Sequence, residues 1–296
     1  MNHGGILKKR GEDMLKNIIL ICNGLYIEKE KSMPEWDVFI QEMEKRNYTV
    51  LLKVAEELER VCAENSLQDT LFISDNKEIL EKLKENGGYT IACYHEGVSG
   101  LMGCTQFAIE GIAGLDSDYL EKVYQRYCGI PWQITHTKRC TVREMGPDDL
   151  DDLYELYTDK RVTRYTEALF TDKQREKQYI EDYIENIYKY FGFGTWLIHR
   201  KEDGRLIGRA GFNFRPGFEE AELGFVIGSP FWRNGYAYEV CSHLLYLGKT
   251  VFEFDKVQAL VDKENTASVC LLEKLGFFYI EDVTVDEKEY RRYLYD

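Results

Sequence analysis

An excess of positive charge is what this 296-residue chain lacks: 38 Lys and Arg stand against 52 Asp and Glu, a formal net charge of −14. A nucleic-acid backbone as main partner needs a basic footprint, so that class is set aside. Paired metal ligands are missing too. The eight cysteines, at 22, 62, 93, 104, 128, 140, 241 and 270, show no CxxC spacing, and the five histidines show no paired ligand spacing, so no metal is expected. Cys93 and His95 would share one face of a strand, where a structural role is the expectation. Long apolar runs are also absent. KNIILIC is too short for a secretory signal or a membrane span, and scattered thiols suit the reducing cytoplasm. No repeat or low-complexity stretch occurs.

What is present suits two globular domains of about 150 residues each. With 44% hydrophobic and 30% charged residues, the chain can bury two cores and still carry a polar surface. The first half alternates strand-like runs (NIILIC, TVLLKV, TLFISD, YTIACYH) with helical patterns (EWDVFIQEMEKRN, EELERVCAEN, KEILEKLKEN, YLEKVYQRYCG). That rhythm predicts a three-layer α/β domain with a largely parallel sheet. The connection GIPWQITHTKRC leads into a fresh start at CTVREM, which sets the expected domains at 1–138 and 139–296.

The second half reads strand, two helices, three strands, helix, strand, helix, strands. Asp203-Gly204 suits a tight hairpin turn between TWLIHR and LIGRAGFNF. At its centre AELGFVI is followed by SPFWRNGYAYEV, so a strand ends in aromatics, an Arg, an Asn and a glycine before a helix begins. The residues Gly224, Phe225, Ser229 to Ala237 and Glu239, and further on Asn265, Ser268 and Leu272 to Phe277, carry a resemblance. Over 139–296 the chain resembles the GNAT N-acetyltransferase superfamily, and within it the ribosomal-protein N-acetyltransferase-like branch. The resemblance implies an α+β domain with a mixed, mostly antiparallel sheet, and acetyl-CoA as co-substrate.

Elementary physics gives the loop the same task. First-turn amides of a helix have no intrahelical acceptor and sit at the positive end of its dipole, a place that holds a diphosphate. Gly235 lets the backbone come close, and Arg233 adds charge at the rim. The resemblance assigns the amides of Arg233, Asn234, Gly235, Tyr236 and Ala237 to the pyrophosphate. It assigns the splayed strand through Phe225, Val226 and Ile227 to the pantetheine arm, and Asn265 to that arm or the strand edge. Acetyl transfer needs a base and a proton donor for the thiolate. Glu222 is the expected base, through water. Ser268 is the expected donor, because Leu272 stands where many members have Tyr. Tyr165, Trp196, Phe214 and Arg215 are expected to line the acceptor entrance. The acceptor is expected to be a primary amine, either a small molecule or a protein N-terminus.

In the first half, LFISDNKEILEKLKENGGYTIAC resembles the C-terminal part of haloacid dehalogenase-like (HAD) phosphatases over about 15–130, with Asp75 where those enzymes hold Mg²⁺. Cys22, Asn23 and Gly24 replace their Asp-x-Asp nucleophile, so phosphoryl transfer has no covalent route. Asp75 is expected to cap a helix, and the domain to be catalytically silent, serving dimerisation as a homodimer, substrate presentation or regulation. The leading expectation is an acetyl-CoA-dependent N-acetyltransferase. A non-catalytic acyl-CoA-binding sensor or scaffold is the alternative.

Overall fold

Strand β1 (Asn17–Ile21) has four of its five residues buried, as expected of a strand covered on both faces. A computed structural model describes residues 14–64 and 66–296, and the chain divides into two compact units between residues 130 and 131. The first unit continues through α1 (Gly24–Lys31), α2 (Pro34–Lys45), β2 (Thr49–Leu52), α3 (Leu58–Glu64) and β3 (Thr70–Ser74). It ends with α4 (Lys77–Glu85), β4 (Tyr89–Tyr94), β5 (Phe107–Glu110) and α5 (Ser117–Tyr127). Its five strands are all parallel, in the order β2-β1-β3-β4-β5. Alternate residues serve opposite faces. Ile18, Leu20, Leu71 and Ile73 pack with residues of α1, α2 and α5, whereas Ile19, Ile21 and Phe72 pack with residues of α3 and α4. The unit is therefore a doubly wound three-layer α/β fold.

Two elements here lie beyond the sequence reading. Helix α1 starts where Asn23 accepts hydrogen bonds from the Leu25 and Tyr26 amides, and β5 is a four-residue edge strand. The expectation for Asp75 is corrected. Asn76 caps α4, while Asp75 accepts from the Asn23 amide (2.8 Å) and from His95 Nε2 (2.9 Å).

The second unit runs β6 (Gln133–His136), β7 (Cys140–Arg143), α6 (Leu150–Tyr157), α7 (Lys173–Tyr183), a π-helical turn at Ile184–Tyr188, α8 (Lys189–Phe191), β8 (Thr195–Arg200), β9 (Leu206–Phe214) and β10 (Ala221–Ile227). It closes with α9 (Tyr236–Thr250), β11 (Val257–Asp262), α10 (Thr266–Leu275), β12 (Phe278–Val285) and β13 (Lys288–Tyr295). These eight strands form one sheet in the order β12-β13-β11-β10-β9-β8-β7-β6, in which only β10 and β11 run parallel. The division falls before 138 because QITH is strand β6, antiparallel to β7, and so belongs to this unit. Antiparallel pairs put facing residues on the same side. Arg209, Gly211 and Asn213 therefore share a face with Val226, Gly224 and Glu222, whereas Ala210, Phe212 and Leu223 lie on the other side in the core. α9 packs on β9 and β10, and α6 packs on β9.

Candidate active site

Strand β10 pairs with β9 along its whole length, from Ala221↔Phe214 to Ile227↔Gly208. Its pairing with β11 stops after Ala221↔Val257 and Glu222↔Gln258. Beyond that point the strands part, and among the described residues no strand covers the β10 edge from Leu223 to Ile227. Uncovered backbone groups inside a sheet are a template for another extended chain.

The loop after β10 is shaped by its own side chains. Trp232 Nε1 donates to the Ile227 carbonyl oxygen at 2.6 Å, folding the 3₁₀ turn Ser229–Phe231 back on the strand end. Arg233 has φ 60° and Gly235 φ 79°, so the chain passes twice through the left-handed region before α9. Glycine takes that conformation without strain. Among the described residues, the amides of Arg233 to Ala237 have no acceptor. They lie at the positive end of a 15-residue helix.

The loop is braced from the β6–β7 hairpin. Glu239 accepts from Thr137 Oγ1 (2.7 Å), the Arg139 amide (2.7 Å) and Arg139 Nε (2.6 Å). Arg139 Nη1 donates to the Asn234 carbonyl oxygen at 2.9 Å, and its guanidinium lies 4.3 Å from the Tyr236 ring centroid. The brace reaches Gly235 itself, where a Cβ would stand 3.6 Å from Arg139 Nη2. A second tie joins the α6–α7 connection to the loop, since Arg161 and Ser229 both bond the Asp159 carboxylate. Arg161, followed by Ser229, holds that carboxyl well below the usual carboxylate range.

A cavity of about 860 Å³ collects Phe225, Val226, Ile227, Arg233, Gly235, Tyr236, Ala237, Asn265 and Ser268 in its wall. Its charged lining is Arg161, Arg164, Arg233 and Lys274 against the single carboxylate of Glu264. In a chain of net charge −14, this is a local cationic pocket suited to phosphates. The Asn265 side chain caps α10, with Oδ1 accepting from the Ser268 amide at 3.2 Å. Ser268 also faces the cavity, and its hydroxyl has no protein partner among the described residues.

Of the residues expected to hold the cofactor or act in catalysis, two stand outside this wall. The Asn234 side chain turns back to the Trp232 carbonyl oxygen at 3.2 Å. Glu222 sits where β10 and β11 part, its side chain 13% exposed and bonded by Arg215 Nε (2.5 Å) and Nη2 (3.0 Å). The entrance set is partly corrected. Tyr165 lines the cavity, but Trp196 is 0% exposed and stacks on Phe252 in the core, Phe214 packs on Phe193 and Phe254 outside the cavity wall, and Arg215 is engaged by Glu222. Sequence reasoning missed Arg139, although the early Glu239 it anchors was in view. Its partner is a hundred residues away, with no local signature. Among the described residues no cluster of three or more His, Cys, Asp or Glu could hold a metal ion, and no helix is long and apolar enough to cross a membrane.

A parted parallel strand pair ending in a loop of unpartnered amides makes a cleft suited to an extended ligand that carries a phosphate at one end. The family model "Acetyltransferase (GNAT) domain" matches residues 139–278. The uncharacterised N-acetyltransferase p20 of Bacillus licheniformis is 32% identical over 147 residues, covering 49% of this chain and 82% of that protein. The uncharacterised N-acetyltransferase YoaA of Bacillus subtilis is 28% identical over 145 residues, covering 49% and 82%. Among solved structures, the acetyltransferase of Agrobacterium tumefaciens strain C58 aligns with a TM-score of 0.48 at 23% identity, over 56% of this chain and 96% of that one. The chain belongs to the GNAT family, and through its second unit it is an N-acetyltransferase.

Proposed function

We propose that the protein transfers the acetyl group of acetyl-CoA to a primary amine of a small molecule or a protein N-terminus. The observation that carries this reading is the gap between β10 and β11, which opens onto the unpartnered amides of Arg233 to Ala237. The diphosphate would rest on those amides, with Arg233 and the cavity's other cations around the phosphates. The pantetheine arm would lie along Phe225, Val226 and Ile227 as an added strand, bringing the thioester toward the vertex at Glu222.

There the amine nitrogen attacks the thioester carbonyl carbon, and its proton leaves through water to Glu222. Arg215 fixes that carboxylate in direction through two hydrogen bonds. The carbon–sulfur bond then breaks, and the thiolate takes a proton from the Ser268 hydroxyl, which solvent restores. Leu272, 1% exposed in the core, supplies no proton. For the first unit we propose a catalytically silent HAD-like module. Its Asp75 carboxylate is already engaged by Asn23 and His95, and no aspartate follows β1 at Cys22, Asn23 or Gly24. Eight free thiols agree with a cytoplasmic setting.

Thermal unfolding with and without acetyl-CoA tests the reading. At about 100 times its dissociation constant a ligand stabilises the folded state by roughly 2.7 kcal/mol, about 5 to 10 °C for a unit of this size. Gly235→Glu, which places a carboxylate among the amides, should abolish the shift. Absence of any shift at saturating acetyl-CoA would sink the reading.

A further inference from the structure

The sheet face that carries Glu222 also carries a cation with no counter-ion. Arg209 projects from β9 opposite Val226, on the same side as Gly224 and Glu222. Its side chain is half-buried, and Nε is inaccessible and without a partner. The contacts it does make are neutral: Nη2 lies 3.9 Å from Met145 Sδ, and the Tyr157 hydroxyl is near it. Tyr183 and Tyr188 stand close by. Among the described residues no carboxylate pairs with it.

The acids of this face have partners, and buried Glu144, next to Met145, accepts from the Trp132 amide at 3.0 Å. Glu222 is taken by Arg215, Asp149 by Arg143, and Glu176 accepts from the Phe170 amide at 2.8 Å. A desolvated cation without an anion is costly, and proteins rarely retain one without a use for it. Between Arg209 and Glu222 the β10 side of the floor is bare, while on β9 the Gly194 carbonyl covers Gly211. Gly224 lies between them, and a Cβ there would meet nothing within 4 Å. Two strand residues separate Gly224 from the level of Glu222, and two separate it from the level of Arg209, about 7 Å each way.

We propose that the acceptor is an amine that also bears an anionic group, a carboxylate or a phosphate, and that Arg209 receives that group. This rests on the acetyl-CoA reading above. The amine lies over Gly224 within reach of Glu222 through water, and its anion reaches Arg209 one short aliphatic spacer away. The same charge repels polyamines, whose second positive group would face Arg209. A guanidinium binds carboxylate or phosphate through paired N–H groups, so the geometry of Lys would serve less well.

The test is a panel of matched acceptors with the full-length protein and acetyl-CoA, followed by release of free CoA thiol. The panel is 4-aminobutyrate, 3-aminopropyl phosphate, n-butylamine and spermidine. The expected result is a kcat/KM for at least one of the two anionic amines that exceeds n-butylamine's by about tenfold or more, in line with a charge-assisted hydrogen bond. The better anion tells carboxylate from phosphate. Arg209→Gln should collapse that ratio toward one, and Arg209→Lys should restore part of it. If Arg209→Gln does not fold, the wild-type ratio and Arg209→Lys decide the matter. Equal rates across the panel, a preference for spermidine, or a ratio unmoved in both variants would overturn the inference. If acetyl-CoA still shifts the melting transition, that outcome leaves the acetyl-CoA reading standing. With no shift, both fall together.

Discussion

His199 on β8 is half-buried with its Nδ1 inaccessible and unpartnered, and Nε2 lies 3.3 Å from Arg143 Nη2, which donates to it. Burial first, and then the Arg143 charge, push its pKa down to about 4 from the ordinary 6.5. The unfolded chain takes up a proton below about pH 6.5 that the folded one refuses until about pH 4. Its neutral form is therefore fully compatible with folding above pH 6.5, and stability declines as pH falls from there toward 4, by up to about 3 kcal/mol in all. Urea midpoints from pH 7 down to 4 should fall more steeply for the wild type than for His199→Gln. Parallel slopes would show that the imidazole carries no such penalty. At this scale the sequence was legible where chemistry is local. Gly235 and Arg233 could be assigned because a loop before a helix explains them by itself. Arg139 and Arg209 could not, because their meaning comes from a helix and loop a hundred residues away or from a strand register that the sequence does not state.

Among the elements, the β6–β7 hairpin decides how firmly the loop before α9 is held. Arg139 joins three things: the Glu239 carboxylate, the Asn234 carbonyl and the Tyr236 ring. Removing it leaves Glu239, whose carboxyl is held below its usual pKa, against its burial, by the Thr137 hydroxyl and then by Arg139, with a charge less well matched. Arg139→Ala should raise the KM for acetyl-CoA by about tenfold, the order expected for a charge-assisted contact, with kcat within about twofold, because the reacting atoms lie elsewhere. Steady-state kinetics against acetyl-CoA checks this, and an equal fall in kcat with KM unchanged would refute it. The hairpin also shows why β6 escaped the sequence reading. QITH is four residues long, mixed in burial, and follows directly on a connecting segment, so neither its length nor its alternation stands out. The longer strands β8, β9 and β10, by contrast, are evident from their apolar content alone.

At the scale of the whole molecule, each unit has its own sheet and its own cores. A fragment spanning 131–296 should fold alone and retain acetyl-CoA binding, with a dissociation constant within about threefold of the full chain's. A fragment begun at 139 would lose β6 and the Thr137 contact to Glu239, and should bind more weakly. Calorimetric titration of both fragments measures this, and equal affinities would show the brace to be dispensable.

The parting of β10 from β11 has a mechanical consequence. Strands β6 to β10 form one antiparallel half and β11, β13 and β12, in that order, another, and among the described residues two facing pairs join them. The second unit is thus two half-sheets on a narrow seam. The smaller half is the less anchored, since five consecutive residues at the start of its outer strand β12 are exposed. An extended ligand laid in the gap bonds one half and touches the other, and so acts as a splint. Local opening of β11 to β13 should then be the lowest-energy excursion of the empty protein and the one most suppressed on loading.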